Sequence, residues 1–342
     1  MEITKEFLEK NPLYIAEVGQ NHQGSLDYIL EYIDVFSSAG ANAIKFQKRD
    51  NKFLFDETKF QELYDHENSF GSTYGQHREH LELKTDWLGK IKDACTRNNV
   101  LFMCTAFDEQ SLETLLEYEV DILKVASFDL GNIPLLKKVA ASDKPVIFST
   151  GGGNFDHIDA SIQALEGANQ FGVLHCVSQY PCPPEILGLN GICDLIARYP
   201  DIPVGLSDHF SGTLSGPIGY MKGARIFEKH VTLNRAWKGT DHSFALEANG
   251  FKNFVRDIKR VPLMEPVQLS QNVGKEPVFK KLGKSIVARE TIEKNQIIDE
   301  KNITGRIISG HGVAIRQSSA FLGRKVNRKI FKHEPILLDD VE

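Results

Sequence analysis

The sequence has no excess of positive charge, no long apolar segment and few cysteines. Its 40 lysine and arginine residues are outnumbered by 46 aspartate and glutamate residues, which argues against binding to nucleic acid. No apolar run approaches the roughly 18–20 residues of a membrane-spanning helix, and the first residues are too polar for a secretory signal peptide. The five cysteines include no Cys-x-x-Cys pair, so neither a disulfide framework nor a zinc knuckle is indicated. We therefore expect a cytoplasmic protein that binds neither nucleic acid nor membranes.

Eight short apolar segments recur along the first three quarters of the chain, and an amphipathic stretch follows each of them. Segments this rich in Val, Ile, Leu and Phe suit strands that are buried on both faces of a parallel sheet. Eight strand–helix units predict an α/β fold, a (β/α)₈ TIM barrel. An open doubly wound sheet is the alternative, but no Gly-x-Gly-x-x-Gly motif follows the first segment. The predicted strands are 13–19, 43–48, 101–107, 122–128, 145–151, 171–178, 204–209 and 225–233.

The pattern changes after residue 261. Residues 262–281 contain three prolines and a glycine, which is typical of a linker. From residue 282 onward, short alternating runs predict a small β-rich domain. A domain of that size is marginally stable alone, so we expect it to dock on the barrel or on a neighbouring subunit. The predicted organisation is a barrel at 1–261, a linker at 262–281 and a small domain at 282–342.

One long insertion separates the second and third predicted strands. Residues 50–83 show no clear periodicity but contain aromatic and histidine side chains, among them Tyr74 and His77. A stretch of this length over the mouth of a barrel is usually functional, so we expect it to border a site.

Polar residues occur near the carboxyl ends of most predicted strands. These ends meet at one face of a parallel barrel, where active sites lie. A buried lysine or glutamate without a partner shifts its pKa by up to ~3–5 units, so such groups must compensate one another or a ligand. For any one residue a salt bridge is the alternative, but a converging ring favours a site. The ring comprises Glu17, Lys45, Gln47, Lys124, Ser127, Ser149, His175, Ser178, Ser207, Asp208, His209, Glu228 and His230.

The cations and hydroxyls of this ring predict an anion site. Lys45 and Lys124 supply positive charge, and the four serines supply small donors that orient a phosphate or carboxylate. The glycine-rich residues 151–154 either add backbone N–H donors or form an ordinary strand-to-helix turn.

Two histidines predict a metal site beside the anion site. His209 and His230 end successive strands, and neutral imidazoles on neighbouring strands suit Mn²⁺, Zn²⁺ or Fe²⁺. A hydrogen-bonded histidine pair is the alternative. Glu17 and Glu228 would serve as acid–base groups or orient water beside such a metal.

Short motifs in a fixed order span almost the whole chain. They are IAEVGQNHQG at 15–24, GANAIKFQ at 40–47, LKVAS at 123–127, STG at 149–151, HCVSQYP at 175–181, GLSDH at 205–209, EKHVTL at 228–233, WKGTDHS at 237–243 and KLGKSIVA at 281–288. In this order they resemble the motifs of the sialic acid synthase family, the N-acetylneuraminate-type synthases. The last motif resembles the start of that family's antifreeze-like (SAF) domain.

The resemblance implies condensation of phosphoenolpyruvate with an N-acetylmannosamine-type amino sugar, free or 6-phosphorylated. The products are a nine-carbon 2-keto sugar acid and phosphate, with Glu17 or Glu228 placing the attacking water. Arg306 matches an arginine that the SAF domain inserts into the neighbouring subunit's site, which implies a domain-swapped homodimer. The resemblance assigns phosphoenolpyruvate to Lys45, Lys124, Ser127, Ser149, Ser178 and Ser207, a divalent metal (Mn²⁺, with Mg²⁺ or Co²⁺ as alternatives) to His209 and His230, and the sugar to Gln47, Tyr180, Asp241 and Arg306.

Departures from the family pattern leave the acceptor sugar open. Ser178 stands where bacterial members have asparagine, and Phe128 and Asp129 replace a Gly-Glu pair. Residues 237–243 resemble the animal-type pattern, whose members take a 6-phosphorylated sugar. Synthesis of legionaminic or pseudaminic acid is therefore an alternative.

Three other functions compete with these. Another phosphoenolpyruvate-dependent aldol synthase would share the barrel but typically lacks the small domain. A metal-dependent hydrolase commonly has a His-x-His pair in its first strand, which is absent here. A non-catalytic sugar-binding or ice-binding protein would not require the charged ring.

Overall fold

The computed structural model describes residues 2–266, 271 and 275–342. The chain divides into two compact units, Met1–Leu263 and Met264–Glu342. Part of the predicted linker, at 267–270 and 272–274, lies outside the described residues. Within the described part of that linker, the last barrel helix continues to Met264 with Pro262 inside it, and a short helix spans Pro277–Leu282.

The first unit is a closed barrel of eight parallel strands. The first strand pairs with the second on one side and with the eighth on the other, so the prediction of a TIM barrel is confirmed and the open sheet is excluded. Each strand falls within a predicted apolar segment. The strands are β1 Leu13–Gly19, β2 Ala43–Lys48, β3 Leu101–Ala106, β4 Ile122–Val125, β5 Val146–Ser149, β6 Phe171–Cys176, β7 Val204–Asp208 and β8 Ile226–His230.

Helices connect the strands, and many begin at a side chain that accepts a backbone N–H. Ser25, Asp108 and Asn154 do so for α2, α7 and α9, which satisfies N–H groups that have no partner within the helix. In the described part of the chain, no helix is both long and apolar enough to cross a membrane. The helices of this unit are α1 Lys5–Lys10, α2 Leu26–Ser38, α3 Asn51–Leu54, α4 Glu57–Gln61, α5 Tyr74–His80, α6 Leu88–Arg97, α7 Glu109–Glu117, α8 Ile133–Ala140, α9 Phe155–Ala164, α10 Asn190–Arg198, α11 Ser215–Met221 and α12 Ala248–Met264.

Side chains alternate between the two sides of the barrel wall, as the two-residue period of a strand requires. Outward residues such as Phe46 and Phe102 join the large core between strands and helices. Inward residues near the amino ends of the strands form a second apolar cluster, in which Ile3 and Leu8 from the amino-terminal segment and α1 also lie. The barrel interior therefore has an apolar floor, whose strand residues are Leu13, Ile15, Ala43, Met103, Ile122, Ile147, Leu174 and Ile226.

The second unit has its own small core. After α13 (Pro277–Leu282), strands β9 (Ser285–Ala288) and β10 (Ile303–Arg306) pair antiparallel. Buried apolar side chains, including Phe321 and Ile330, form one cluster here. This confirms the predicted small β-rich fold at the carboxyl end of the chain.

Candidate active site

A cavity of about 550 Å³ opens at the carboxyl ends of the barrel strands. This volume is within the usual range for small-molecule sites. Ser178 does not line it. The predicted site residues that do are Glu17, Lys45, Gln47, Lys124, Ser127, Ser149, Tyr180, Ser207, His209, Glu228, His230 and Asp241.

Strand register builds the central ion cluster of this cavity. Glu17 lies opposite Lys45 of β2 and opposite His230 of β8. Lys45 Nζ is 2.8 Å from Glu17 Oε2 and 3.5 Å from Glu228 Oε1, and all three side chains are buried. Two carboxylates therefore share one ammonium group at the centre of the cavity.

The two carboxylates of this cluster differ in their preference for a proton. Burial raises the pKa of Glu17 against the charge of Lys45, and the charge of Glu228 adds to the rise. Burial acts in the same direction on Glu228, but Lys45 and Lys124 together lower the pKa of its carboxyl group below the usual value. Glu228 is thus the anion of the pair, and Glu17 holds a proton more readily. Glu228 Oε2 is buried without a hydrogen-bond partner within the described chain.

Lys124 forms a second centre of positive charge. Its Nζ donates to Ser149 Oγ at 2.6 Å and to the Val125 carbonyl at 2.8 Å, and among the described residues it has no ion-paired carboxylate. Burial lowers the pKa of Lys124. Ser207 Oγ donates to Glu228 Oε1 at 3.0 Å. A buried lysine that is bonded only to neutral groups is suited to binding an anion.

The glycine-rich turn packs tightly behind this centre. The Gly151 N–H donates to Ser127 Oγ at 3.0 Å, so this donor is already used. A Cβ atom at Gly151 would lie 2.3 Å from Ser178 Oγ, which explains the glycine. Ser178 Oγ is buried without a hydrogen-bond partner in the described part of the chain, and Ser178 is not one of the residues that line the cavity. Asn154 caps α9, so the turn at 151–154 is mainly structural.

His209 and His230 lie side by side, with ring centroids 5.4 Å apart. His209 Nδ1 is 2.7 Å from the Val177 carbonyl, to which it must donate, so in the neutral imidazole Nε2 carries the lone pair. Against the effect of burial, interaction with Cys176 raises the pKa of His209. Burial lowers the pKa of His230 to about 3, which keeps this imidazole neutral, and its buried Nδ1 has no hydrogen-bond partner within the described residues. Asp241 Oδ2 is 3.8 Å from that Nδ1.

The imidazole nitrogens of His209 and His230 fit a divalent cation, whose other coordination positions would be left to water or substrate. No group of three or more His, Cys, Asp or Glu side chains that could hold a metal ion occurs in the described part of the chain.

Three members of the predicted ring, Ser178, His175 and Asp208, do not line the cavity. The Asp208 side chain lies on the outer side of the barrel. There its Oδ2 is 2.7 Å from Lys229 Nζ and accepts from Ser215 Oγ. His175 Nε2 bonds the Leu187 carbonyl at 2.8 Å. For Asp208 the site interpretation is wrong, because alternation along β7 turns it away from the cavity. His175, which we expect to hold a neighbouring loop rather than to act in the site, does so through the Leu187 carbonyl.

Other lining residues were missed by sequence reasoning. Thr105 Oγ1 accepts from Lys45 Nζ at 3.3 Å, and Asp129 has a buried carboxylate oxygen without a partner in the described chain. Arg49 and Arg78 line the rim. Extending the alternation Lys45, Gln47 by two residues would have identified Arg49. Arg78 belongs to the 50–83 insertion, where local sequence carries no such signal.

Arg306 is an exposed residue at the end of β10, in the second unit. Its predicted role in the site therefore stays a prediction.

Comparison with known proteins gives a consistent result over both units. The NeuB family model matches residues 32–266, and the SAF domain model matches residues 283–342. The chain is 32% identical over 330 residues to N-acetylneuraminate-9-phosphate synthase of Homo sapiens, covering 96% of this chain and 92% of the relative. It is 28% identical over 334 residues to N,N'-diacetyllegionaminic acid synthase of Campylobacter jejuni, covering 96% and 99%. A solved N-acetylneuraminic acid (sialic acid) synthetase from Leptospira borgpetersenii, in complex with citrate, matches with 31% identity and a TM-score of 0.68, covering 79% of this chain and 91% of that one.

Proposed function

The chain belongs to the NeuB family, and on that premise we propose that it is a sialic acid synthase-like enzyme. It condenses phosphoenolpyruvate with an N-acetylmannosamine-type amino sugar to a nine-carbon 2-keto sugar acid and releases phosphate. The observation that carries the proposal is the buried anion centre at Lys124, beside the Glu17–Lys45–Glu228 cluster. Synthesis of a legionaminic-type acid is the second candidate, because the similarity to the Campylobacter enzyme covers the same residues.

Phosphoenolpyruvate binds at the Lys124 centre in this proposal. The Lys124 ammonium group, with hydroxyls of Ser127, Ser149 and Ser207, faces the phosphate and carboxylate oxygens of the donor. Lys45 adds charge from the neighbouring cluster. The family resemblance also assigns Ser178 to phosphoenolpyruvate, and because Ser178 does not line the cavity this contact stays a prediction. The electrostatic contribution to donor binding is large here, because the buried Lys124 ammonium group is desolvated and the bound anion neutralises its charge.

The acceptor sugar lies towards the rim. Gln47, Tyr180 and Asp241 line the cavity there, and they are the residues that the family resemblance assigns to the sugar. His209 and His230 would hold a divalent metal, Mn²⁺ in preference to Mg²⁺ or Co²⁺, which supplies Lewis-acid activation of the sugar aldehyde. Arg306 completes the sugar site from the SAF domain of a neighbouring subunit, so the enzyme is a domain-swapped homodimer.

The chemistry then requires one attacking carbon and one water molecule. The enol carbon of phosphoenolpyruvate bonds to the aldehyde carbon, the carbonyl π bond opens, and the aldehyde oxygen takes up a proton to become a hydroxyl while positive charge develops at C2 of the donor. Water adds at C2 and loses a proton. The tetrahedral intermediate collapses with cleavage of the C2–O bond to release phosphate. We assign the placing of this water molecule to Glu228, because its carboxylate is the anion of the pair and its buried Oε2 has no hydrogen-bond partner among the described residues.

The proposal is tested by measuring phosphate release from phosphoenolpyruvate. The protein is assayed with Mn²⁺ and a panel of N-acylated sugars that includes N-acetylmannosamine, its 6-phosphate and a diacetamido sugar. We expect release with at least one N-acetylmannosamine-type sugar, and none after EDTA treatment or in His209→Ala. If folded protein releases no phosphate with any sugar, the enzyme assignment is contradicted. If only the diacetamido sugar reacts, the second candidate is correct.

A further inference from the structure

Two arginines lie at the rim of the cavity without anionic partners. Arg49 is buried, donates to Gln47 Oε1 at 2.5 Å and places its guanidinium carbon 3.9 Å from the centroid of the Phe107 ring. Arg78, which is half-buried on α5, donates to Gln20 Oε1 at 2.7 Å, and its Nε is buried without a hydrogen-bond partner within the described residues. In the part of the chain that the structure describes, neither guanidinium forms an ion pair.

The Glu82 carboxylate, whose charge acts on Arg49, is already neutralised by other groups. Glu82 Oε1 accepts from Lys48 Nζ at 2.9 Å and from the backbone N–H of Arg49 at 2.9 Å. The negative charge of Glu82 is therefore balanced by these groups rather than by the Arg49 guanidinium. Burial and the positive charge of Arg78 lower the pKa of Arg49, although the group stays charged at neutral pH. Two cations that repel each other at a partly dry rim are costly, and an anionic ligand removes that cost.

The two arginines lie on the side of the cavity that is proposed for the acceptor sugar, not at the proposed phosphoenolpyruvate site. Lys45, Gln47 and Arg49 follow one another along one face of β2 and its extension, so Arg49 is about 7 Å further towards the rim than Gln47 and about 13 Å beyond Lys45. A hydrogen-bond chain joins these levels, from Arg49 to Gln47 and from Gln47 Nε2 to Glu17 Oε1 at 2.7 Å. A sugar that contacts Gln47 with its reactive end at the Glu17–Lys45 level therefore presents its far end to the arginines.

We propose that Arg49 and Arg78 bind the phosphate group of a 6-phosphorylated amino sugar, which makes the phosphorylated sugar the acceptor of this enzyme. The inference rests on the proposed function. A phosphate monoester carries about −1.5 to −2 charges at neutral pH, which matches two guanidinium groups better than a single carboxylate does. Guanidinium groups also present paired donors to phosphate oxygens. The donor's own phosphate is assigned to the separate Lys124 centre.

The test compares kcat/KM for N-acetylmannosamine 6-phosphate with kcat/KM for N-acetylmannosamine at saturating phosphoenolpyruvate. In the unmodified enzyme we expect this ratio to exceed 100. Arg78→Gln should lower the ratio by about 100-fold, since it removes one partner of a desolvated ion pair. Arg78→Lys should restore part of the preference, because it keeps the charge but loses the paired donors. The matched control is Arg260→Gln, an exposed arginine on α12, which should leave the ratio unchanged.

Two results would overturn the inference while leaving the condensation reaction intact: equal use of both sugars, or an unchanged ratio in Arg78→Gln. If neither sugar is turned over, the proposed function fails instead. Calorimetric binding of N-acetylmannosamine 6-phosphate then decides the inference. Weaker binding to Arg78→Gln than to Arg260→Gln would support the phosphate site, and equal binding would overturn it. Thermal unfolding of each variant checks that the fold is retained.

Discussion

The two ends of the barrel interior are built from the same strands and the same inward face, yet they differ completely in chemistry. On β4, Ile122 belongs to the apolar floor and Lys124, two residues later, lines the cavity. On β8, Ile226 and Glu228 repeat the change. Burial of the apolar side chains of the floor stabilises the folded state, whereas desolvation of the buried charges in the upper layer destabilises it. Inward-facing residues only two positions apart on the same strand therefore differ in role: one stabilises the fold and the other binds a ligand.

Lys124→Met tests the upper layer of the barrel. We expect kcat/KM for phosphoenolpyruvate to fall by about 1,000-fold, because the donor anion loses a desolvated cation. We expect the melting temperature not to fall, since a buried lysine without a carboxylate partner is replaced by an apolar side chain of similar length. Steady-state kinetics and thermal unfolding measure the two effects. If the variant keeps its activity, or if it loses both activity and stability, Lys124 has a structural role like the residues of the floor, and the proposed role in binding the donor is contradicted.

Ile122→Ala tests the floor on the same strand. Removing these buried carbon atoms should lower the free energy of unfolding by about 2–5 kcal/mol. At a temperature where the variant is folded, kcat/KM should stay within about 3-fold of the original value. Urea unfolding and steady-state kinetics measure the two quantities. If activity fell as far as in Lys124→Met, the division between floor and upper layer would be wrong.

Ser207→Ala should have a smaller effect than either substitution. The hydroxyl donates to the Glu228 carboxylate at 3.0 Å, and a hydrogen bond to a charged group contributes about 1.5–3 kcal/mol. We expect kcat/KM to fall about 10-fold, and the free energy of unfolding to fall by about 1.5 kcal/mol, the lower end of that range. Ser161→Ala on α9 is the matched control, because that hydroxyl is buried but lies outside the cavity. Similar kinetics for the two variants would show that Ser207 has no special role.

Much of this arrangement could be predicted from sequence, because alternation along a strand is local. Apolar runs located all eight strands, and the polar residues that interrupt them gave ten of the 24 residues that line the cavity. Asp208 shows the limit of that reasoning, since its partner Lys229 lies on the next strand and the pair faces outward. Arg78 shows another limit. Its place at the rim depends on how the insertion folds over the barrel, which no periodicity within residues 50–83 reveals.

A crystal structure with bound phosphoenolpyruvate tests most directly whether the carboxyl end of the barrel is the active site. We expect the phosphate or carboxylate oxygens of the ligand within hydrogen-bond distance of Lys124 Nζ and Ser149 Oγ. An ordered phosphoenolpyruvate molecule elsewhere on the protein, with the Lys124 centre free of ligand, would contradict the proposed active site.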